Sequence, residues 1–322
     1  MRLLEVDRAG MILRMDAART PLASIHGASF DHDGGPGRAV ATRVAQLGGG
    51  LPAPLLMVGA MLSFQLGAAV ATGLFSQVGV PATAFLKNAV GGLLLVAITR
   101  PSLRRPPAEL VWLAAFGIEL ALMNVAFYAA IQRIPLGVAV TVEFLGPLSV
   151  ALLHSRRLRD VLWVILAGAG IAIFAGLPAS GAIDPAGLLF AVLAGAGWAC
   201  YIFTAQRVGR AWAGSQGLAA GMLASAVLLA PFGVGRVRSV SAGSGLVIVA
   251  LGILSAALPF SLEMSALRRL TARAYGVLAS LEPAIATVVG VVALGQTLHA
   301  TDALATLLVV TASVGATIEG SG

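Results

Sequence analysis

Four ionisable residues stand in stretches that are otherwise almost wholly apolar: Lys87, Glu143, Glu263 and Glu282. A charge at mid-membrane costs about 2.5–3.5 kcal/mol on insertion scales, so each of these needs a partner or a function. A carboxyl in such a place can take up and release a proton, because wetting favours its charged form and burial its neutral one. Glu143 and Glu282 are therefore candidates for binding a proton or a substrate's amino group. Glu263 is a weaker candidate near a span end, where pairing with Arg268 or Arg269 is the alternative. Lys87 suits a carboxylate, either a ligand's or a glutamate's. Gln65, Asn124, Tyr128, Trp198 and Tyr201 add hydrogen-bonding groups and rings that can line a substrate cavity.

Each of these residues also has a structural reading. Amides bridge helices, and aromatic residues anchor at the membrane interface. A proline removes the amide that would bond four residues back. Pro147, Pro259 and Pro283 thus free the carbonyls of Glu143, Ser255 and Ala279, which a protonated glutamate nearby could satisfy. Glu119 is a further acid inside a span, expected to face the bundle, with no role assigned.

The elements that must hold these groups follow from composition. Hydrophobic residues make up 58% of the 322 residues and charged residues 11%. A soluble domain carries about 25% charged residues, so most of this surface faces lipid. A span needs about 20 apolar residues, and in lipid only a helix satisfies its own backbone over such a run. Spans are expected at 53–73, 79–99, 109–131, 134–153, 160–176, 185–206, 214–232, 244–266, 272–294 and 301–318. The expectation is an all-α membrane protein of ten transmembrane helices. Residues 1–52, rich in Arg and turn formers, are expected to form a disordered cytoplasmic extension.

The two halves echo one another. Ala130-Ile131-Gln132-Arg133-Ile134 matches Ala266-Leu267-Arg268-Arg269-Leu270, and Gly137 and Glu143 match Gly276 and Glu282 at an offset of 139. Five helices per copy is an odd number, so residues 53–176 and 177–322 would form repeats of opposite orientation, a plan used by secondary transporters. Arg100, Arg104, Arg105, Arg156, Arg157, Arg159, Arg207, Arg210, Arg268, Arg269 and Arg273 fall in loops on one side, against Arg133, Arg236 and Arg238 on the other. The positive-inside rule then places both termini in the cytoplasm.

These residues resemble the EamA-type drug/metabolite transporter superfamily, and most closely its threonine/homoserine exporter branch. The resemblance runs from residue 53 onward. It rests on Ser63-Phe64-Gln65-Leu66-Gly67-Ala68-Ala69, Met123-Asn124 with Phe127-Tyr128, Ile134 to Val140, and Glu143-Phe144-Leu145-Gly146-Pro147. Its most specific stretches are Ala257 to Met264 and Ser280-Leu281-Glu282-Pro283-Ala284. It implies ten helices, proton-coupled efflux and amino-acid-like substrates, in a multi-pass protein of the inner (plasma) membrane. Lys87 departs from it, standing where such relatives usually carry arginine, and Glu119 is an additional acid.

Other classes find less support. The four histidines, His26, His32, His154 and His299, form no HExxH motif. No nucleophile–base pair and no phosphate-binding glycine loop appears, so neither an enzyme nor an ATP-driven pump is expected. No cofactor or metal is expected, and the single cysteine, Cys200, excludes an intrachain disulfide. The net charge of +7 comes from arginines at span ends, which suits lipid headgroups better than nucleic acid. Expected partners are a small-molecule substrate, protons and membrane lipids, with homodimer formation left open. The alternatives are export of another small metabolite or drug, or a passive channel.

Overall fold

The computed structural model describes residues 51–102, 104–153, 160–176, 183–212, 215–237, 240, 244–267 and 269–319. The expected N-terminal extension lies outside the described residues apart from Leu51 and Pro52. Every regular element among the described residues is helical. They are α1 (Ala53–Val78), α2 (Val80–Thr99), α3 (Pro107–Ile131), α4 (Leu136–Glu143), α5 (Leu145–Leu153), α6 (Asp160–Gly176) and α7 (Pro185–Ala211). Then come α8 (Gln216–Val237), α9 (Ser244–Gly252), a π turn (Ile253–Ala257), α10 (Leu258–Leu267), α11 (Ala272–Ala279), α12 (Glu282–Leu294) and α13 (Ala300–Glu319). Among the described residues, eight helical segments are long and apolar enough to cross a membrane, and Leu136–Val150 is apolar but shorter. The chain is a multi-pass membrane protein.

Prolines account for the interruptions. Pro147 has no amide to give the Glu143 carbonyl, and the helix breaks at Phe144 between α4 and α5. A second break, at Ser280 and Leu281, precedes Pro283 and separates α11 from α12. Pro259 acts differently. The Leu258 amide bonds the Ile253 carbonyl, five residues back. In that π register the carbonyl facing Pro259 is that of Leu254, not of Ser255 as α-helical counting predicts. Ser63 Oγ on α1 donates to this Leu254 carbonyl at 2.8 Å.

α8 packs along α2 and α3, α7 along α3, α10 along α1, α12 along α4, and α13 along α6. At one end of the bundle, Gln216 donates to the Thr99 carbonyl at 3.1 Å and Arg105 to that of Ala211 at 3.0 Å. At the other end, the Leu136 amide donates to Gln296 Oε1 at 3.0 Å and Ser244 Oγ to Gln77 Oε1 at 3.0 Å. Arg133 and Asp184 pair there at 3.7 Å. The largest apolar core fills this second end, with Leu74, Phe75, Ile131, Leu136, Val140 and Val289 among its members.

The α5–α7 contact depends on two glycines. A Cβ on Gly146 would fall on the Gly195 carbonyl oxygen, and a Cβ on Gly195 would lie 2.8 Å from the Glu143 carbonyl oxygen. Backbone cannot yield as a flexible side chain can. Gly146→Ala is therefore expected to destabilise the fold by about 3 kcal/mol, the upper part of the usual range for overpacking. Thermal unfolding in detergent checks this, and an unchanged midpoint would contradict the packing.

Candidate functional site

A cavity of about 230 Å³ lies within the bundle. Met57 at the start of α1, Leu218 at the start of α8, Tyr275 on α11 and Thr317 at the end of α13 all line it, so it extends toward the Thr99 end. All nine residues nominated from the sequence line it: Gln65, Lys87, Asn124, Tyr128, Glu143, Trp198, Tyr201, Glu263 and Glu282. They come from α1, α2, α3, α4, α7, α10 and α12. Their convergence reflects the need to keep polar groups away from lipid.

The polar lining forms three hydrogen-bonded groups, with one further acid, Glu143, between the first two. In the first, Lys87 Nζ donates to Asn124 Oδ1 at 2.6 Å. Asn124 Nδ2 donates to Asn88 Oδ1 at 3.3 Å and to the Leu120 carbonyl at 2.8 Å. Asn88 Nδ2 continues to Ser225 Oγ at 2.8 Å. This chain ties α2, α3 and α8 together and orients Lys87, whose ammonium lies 5.4 Å from the Tyr128 ring centroid. In the second group, Gln65 Nε2 donates to Glu282 Oε1 at 3.1 Å. Glu282 is the first residue of α12, where the unpaired amides of a first helical turn favour an anion. Glu143, the last residue of α4, accepts no hydrogen bond among the described residues. Its carboxyl is within electrostatic range of both Lys87 and Glu282.

Glu263 stands one turn before the end of α10. It is buried and accepts a hydrogen bond from Tyr275 Oη at 2.6 Å. Arg268, one partner expected for it, lies outside the described residues, while Arg269 Nη1 donates to the Leu51 carbonyl at 3.1 Å. Trp198 and Tyr201 line the cavity and pack on other rings. Trp198 meets Phe144 edge-on with centroids 5.6 Å apart, and Tyr201 packs on Phe116 at 5.4 Å. Gln65, Asn124 and Tyr128 are buried.

Known proteins are similar to this sequence over most of its length. The sequence model of the EamA-like transporter family matches residues 185–318. The threonine/homoserine exporter RhtA of Salmonella typhimurium (strain LT2) is 42% identical over 277 residues, covering 83% of this chain and 92% of the relative. The protein of the same name from Escherichia coli (strain K12) is 43% identical over 277 residues, with the same coverage of each chain. The chain belongs to the EamA-like transporter family. It is a membrane transporter, not an enzyme. A solved crystal structure with 25% sequence identity superposes with a TM-score of 0.55, covering 83% of this chain and 96% of the other.

In this EamA-like chain the cavity also contains residues that sequence reasoning passed over. Tyr275 stands close to the start of its expected span, where an aromatic residue reads as an interfacial anchor. Ser255 belongs to the π turn and lines the cavity beside Phe64 and Phe260, whose rings meet edge-on at 5.4 Å. A serine in a helix usually bonds its own backbone, so nothing in its type marked it. Asn88 adjoins Lys87 in the sequence, but its link to Ser225 joins positions 137 residues apart.

Proposed function

We propose that this transporter exports small amino-acid-like metabolites of the threonine and homoserine class in exchange for protons, by alternating access across the inner membrane. The observation that carries this reading is the composition of the cavity wall. Lys87, held by Asn124, presents a cation suited to a substrate carboxylate. Glu282, held by Gln65, and Glu143 present carboxyls suited to its ammonium or to a proton. A zwitterion needs both kinds of group within one small space, and 230 Å³ suits a molecule of a few heavy atoms. Tyr128, Trp198 and Tyr201 then shape the apolar wall, and Glu263 supplies a further proton-binding carboxyl. The named activity of the relatives supports the same substrate class.

Ten spans in two inverted five-helix repeats, 53–176 and 177–322, give this cavity its two faces. The broken helices support that plan. Thr141 Oγ1 bonds the Gly137 carbonyl at 2.6 Å on α4, and Ser280 Oγ bonds the Gly276 carbonyl at 2.9 Å on α11. Both pairs keep the offset of 139 that relates Glu143 to Glu282. Paired interrupted helices at mid-membrane are the usual seat of transporter binding sites. Arg100, Arg105 and Arg207 stand at the Thr99 end, so by the positive-inside rule this end and the cavity face the cytoplasm, and the apolar core at the Gln296 end seals the outside.

Counterflow of radiolabelled threonine and homoserine in proteoliposomes, with and without an imposed pH gradient, tests the reading. Exchange that a pH gradient accelerates is the expected result. Flux that ignores the gradient would refute proton coupling, and no exchange by folded protein would refute the substrate class.

A further inference from the structure

Glu119 on α3 is an acid that the cavity does not use. It is only 9% exposed, and both carboxyl oxygens are buried without a hydrogen-bond partner. A buried acid with a purely structural role would be expected to find a donor, because an unpaired polar group buried away from water is destabilising. The register of α3 against α7 locates it. One turn before it, Phe116 packs on Tyr201, and one turn after it, Met123 lies against Gly197. Glu119 is thus set against α7 near Tyr201, within electrostatic range of that phenol. Tyr201 lines the cavity and is within the same range of Glu263.

The other charged and titratable groups nearby are few. Arg207 of α7 lies over the Trp112 ring at 5.4 Å, two turns back along α3. Cys200 of α7 is exposed. α8 contributes no titratable side chain between Gln216 and Gly235. On α2, Lys87 is committed to Asn124. No cation or donor on these elements bonds Glu119, so the ligand that fits its carboxyl is a proton.

We propose that Glu119 is a further proton-binding site, set outside the cavity wall and against α7 beside Tyr201. Its carboxylate takes a proton from hydronium in water that reaches the cavity, leaving water, becomes the neutral acid, and returns the proton to water when the helices rearrange. Its proton binding does not depend on the substrate proposed above; only its use in transport rests on that reading. The test is pH-difference infrared spectroscopy of the full chain in lipid nanodiscs. A titrating carboxylic C=O component should be lost in Glu119→Gln, and its midpoint should shift in Tyr201→Phe. A spectrum of Glu119→Gln identical to that of the native protein would overturn the proposal. If that variant fails to fold, Glu119→Asp should move the component in frequency, and an unmoved component would overturn it equally. Threonine exchange at matched pH separates the two readings: its failure in the native protein counts against the amino-acid substrate and leaves the spectral result standing.

Discussion

Glu282→Gln is expected to abolish the part of transport that a proton gradient drives, while the protein stays folded. The substitution replaces one carboxyl oxygen with an amide and changes little else. The oxygen that accepts from Gln65 Nε2 at 3.1 Å has a direct counterpart in the new side chain. Packing around the first turn of α12 is therefore preserved, but the group can no longer gain and lose a proton. Gradient-stimulated uptake in proteoliposomes should fall to the level seen without a gradient, with exchange at equal pH retained. Full stimulation in this variant would remove Glu282 from the proton path. Glu143→Gln makes a useful partner, because Glu143 lies within electrostatic range of both Glu282 and Lys87. If the two acids share one proton, either substitution alone should suffice, and the double variant should be no worse.

Lys87→Ala is expected to weaken half-saturation by amino acids about 10- to 150-fold. That range corresponds to the loss of one charge-assisted hydrogen bond, about 1.5–3 kcal/mol. Lys87 is half-buried among helices, and its ammonium is fixed by Asn124 at 2.6 Å, so little of its binding energy goes to ordering the side chain. Lys87→Arg keeps the charge and should recover most of the affinity, whereas Lys87→Met should behave as the alanine variant does. Size-exclusion profiles show whether each variant is folded. Unchanged half-saturation in a folded Lys87→Ala protein would reject a carboxylate contact at this position.

The helices were legible because lipid leaves the chain so little choice. Long apolar runs can satisfy their backbone only as helices, and the expected span at 160–176 coincides with α6. Helix ends were less legible. α7 continues past its apolar stretch to Ala211 through Arg207 and Arg210, and α1 continues through Gln77 to Val78. Hydropathy marks where hydrocarbon stops, not where hydrogen bonding stops. The breaks at Phe144 and at Ser280–Leu281 were marked by Pro147 and Pro283, but lie upstream of them. A proline deprives the carbonyls behind it, so the damage appears on its N-terminal side.

Side-chain type alone brought out the cavity's lysine, acids and amides, since each is conspicuous in an apolar run. Tyr275 was not conspicuous, because a tyrosine near a span end has an ordinary interfacial explanation. Glu263 was legible as an acid near the end of its span, but its partner was not. Its distance along the chain from the span end was read correctly, but no hydropathy pattern reveals the π turn ahead of it or the phenol of Tyr275.

That π turn decides by residue count what is usually attributed to residue identity. Ser255 and Glu263 are eight positions apart, which in an unbroken α-helix places them about 80° apart around the axis. One residue absorbed by the π turn reduces the effective separation to seven, about two full revolutions, and both side chains line the cavity. A chain shortened by one residue anywhere in Ile253–Ala257 could close into continuous α-helix. Glu263 would then be turned about 100° relative to the preceding segment, with no change to its own chemistry. Access of this acid to the cavity is thus written in the spacing of the helix, as a phase and not as a letter.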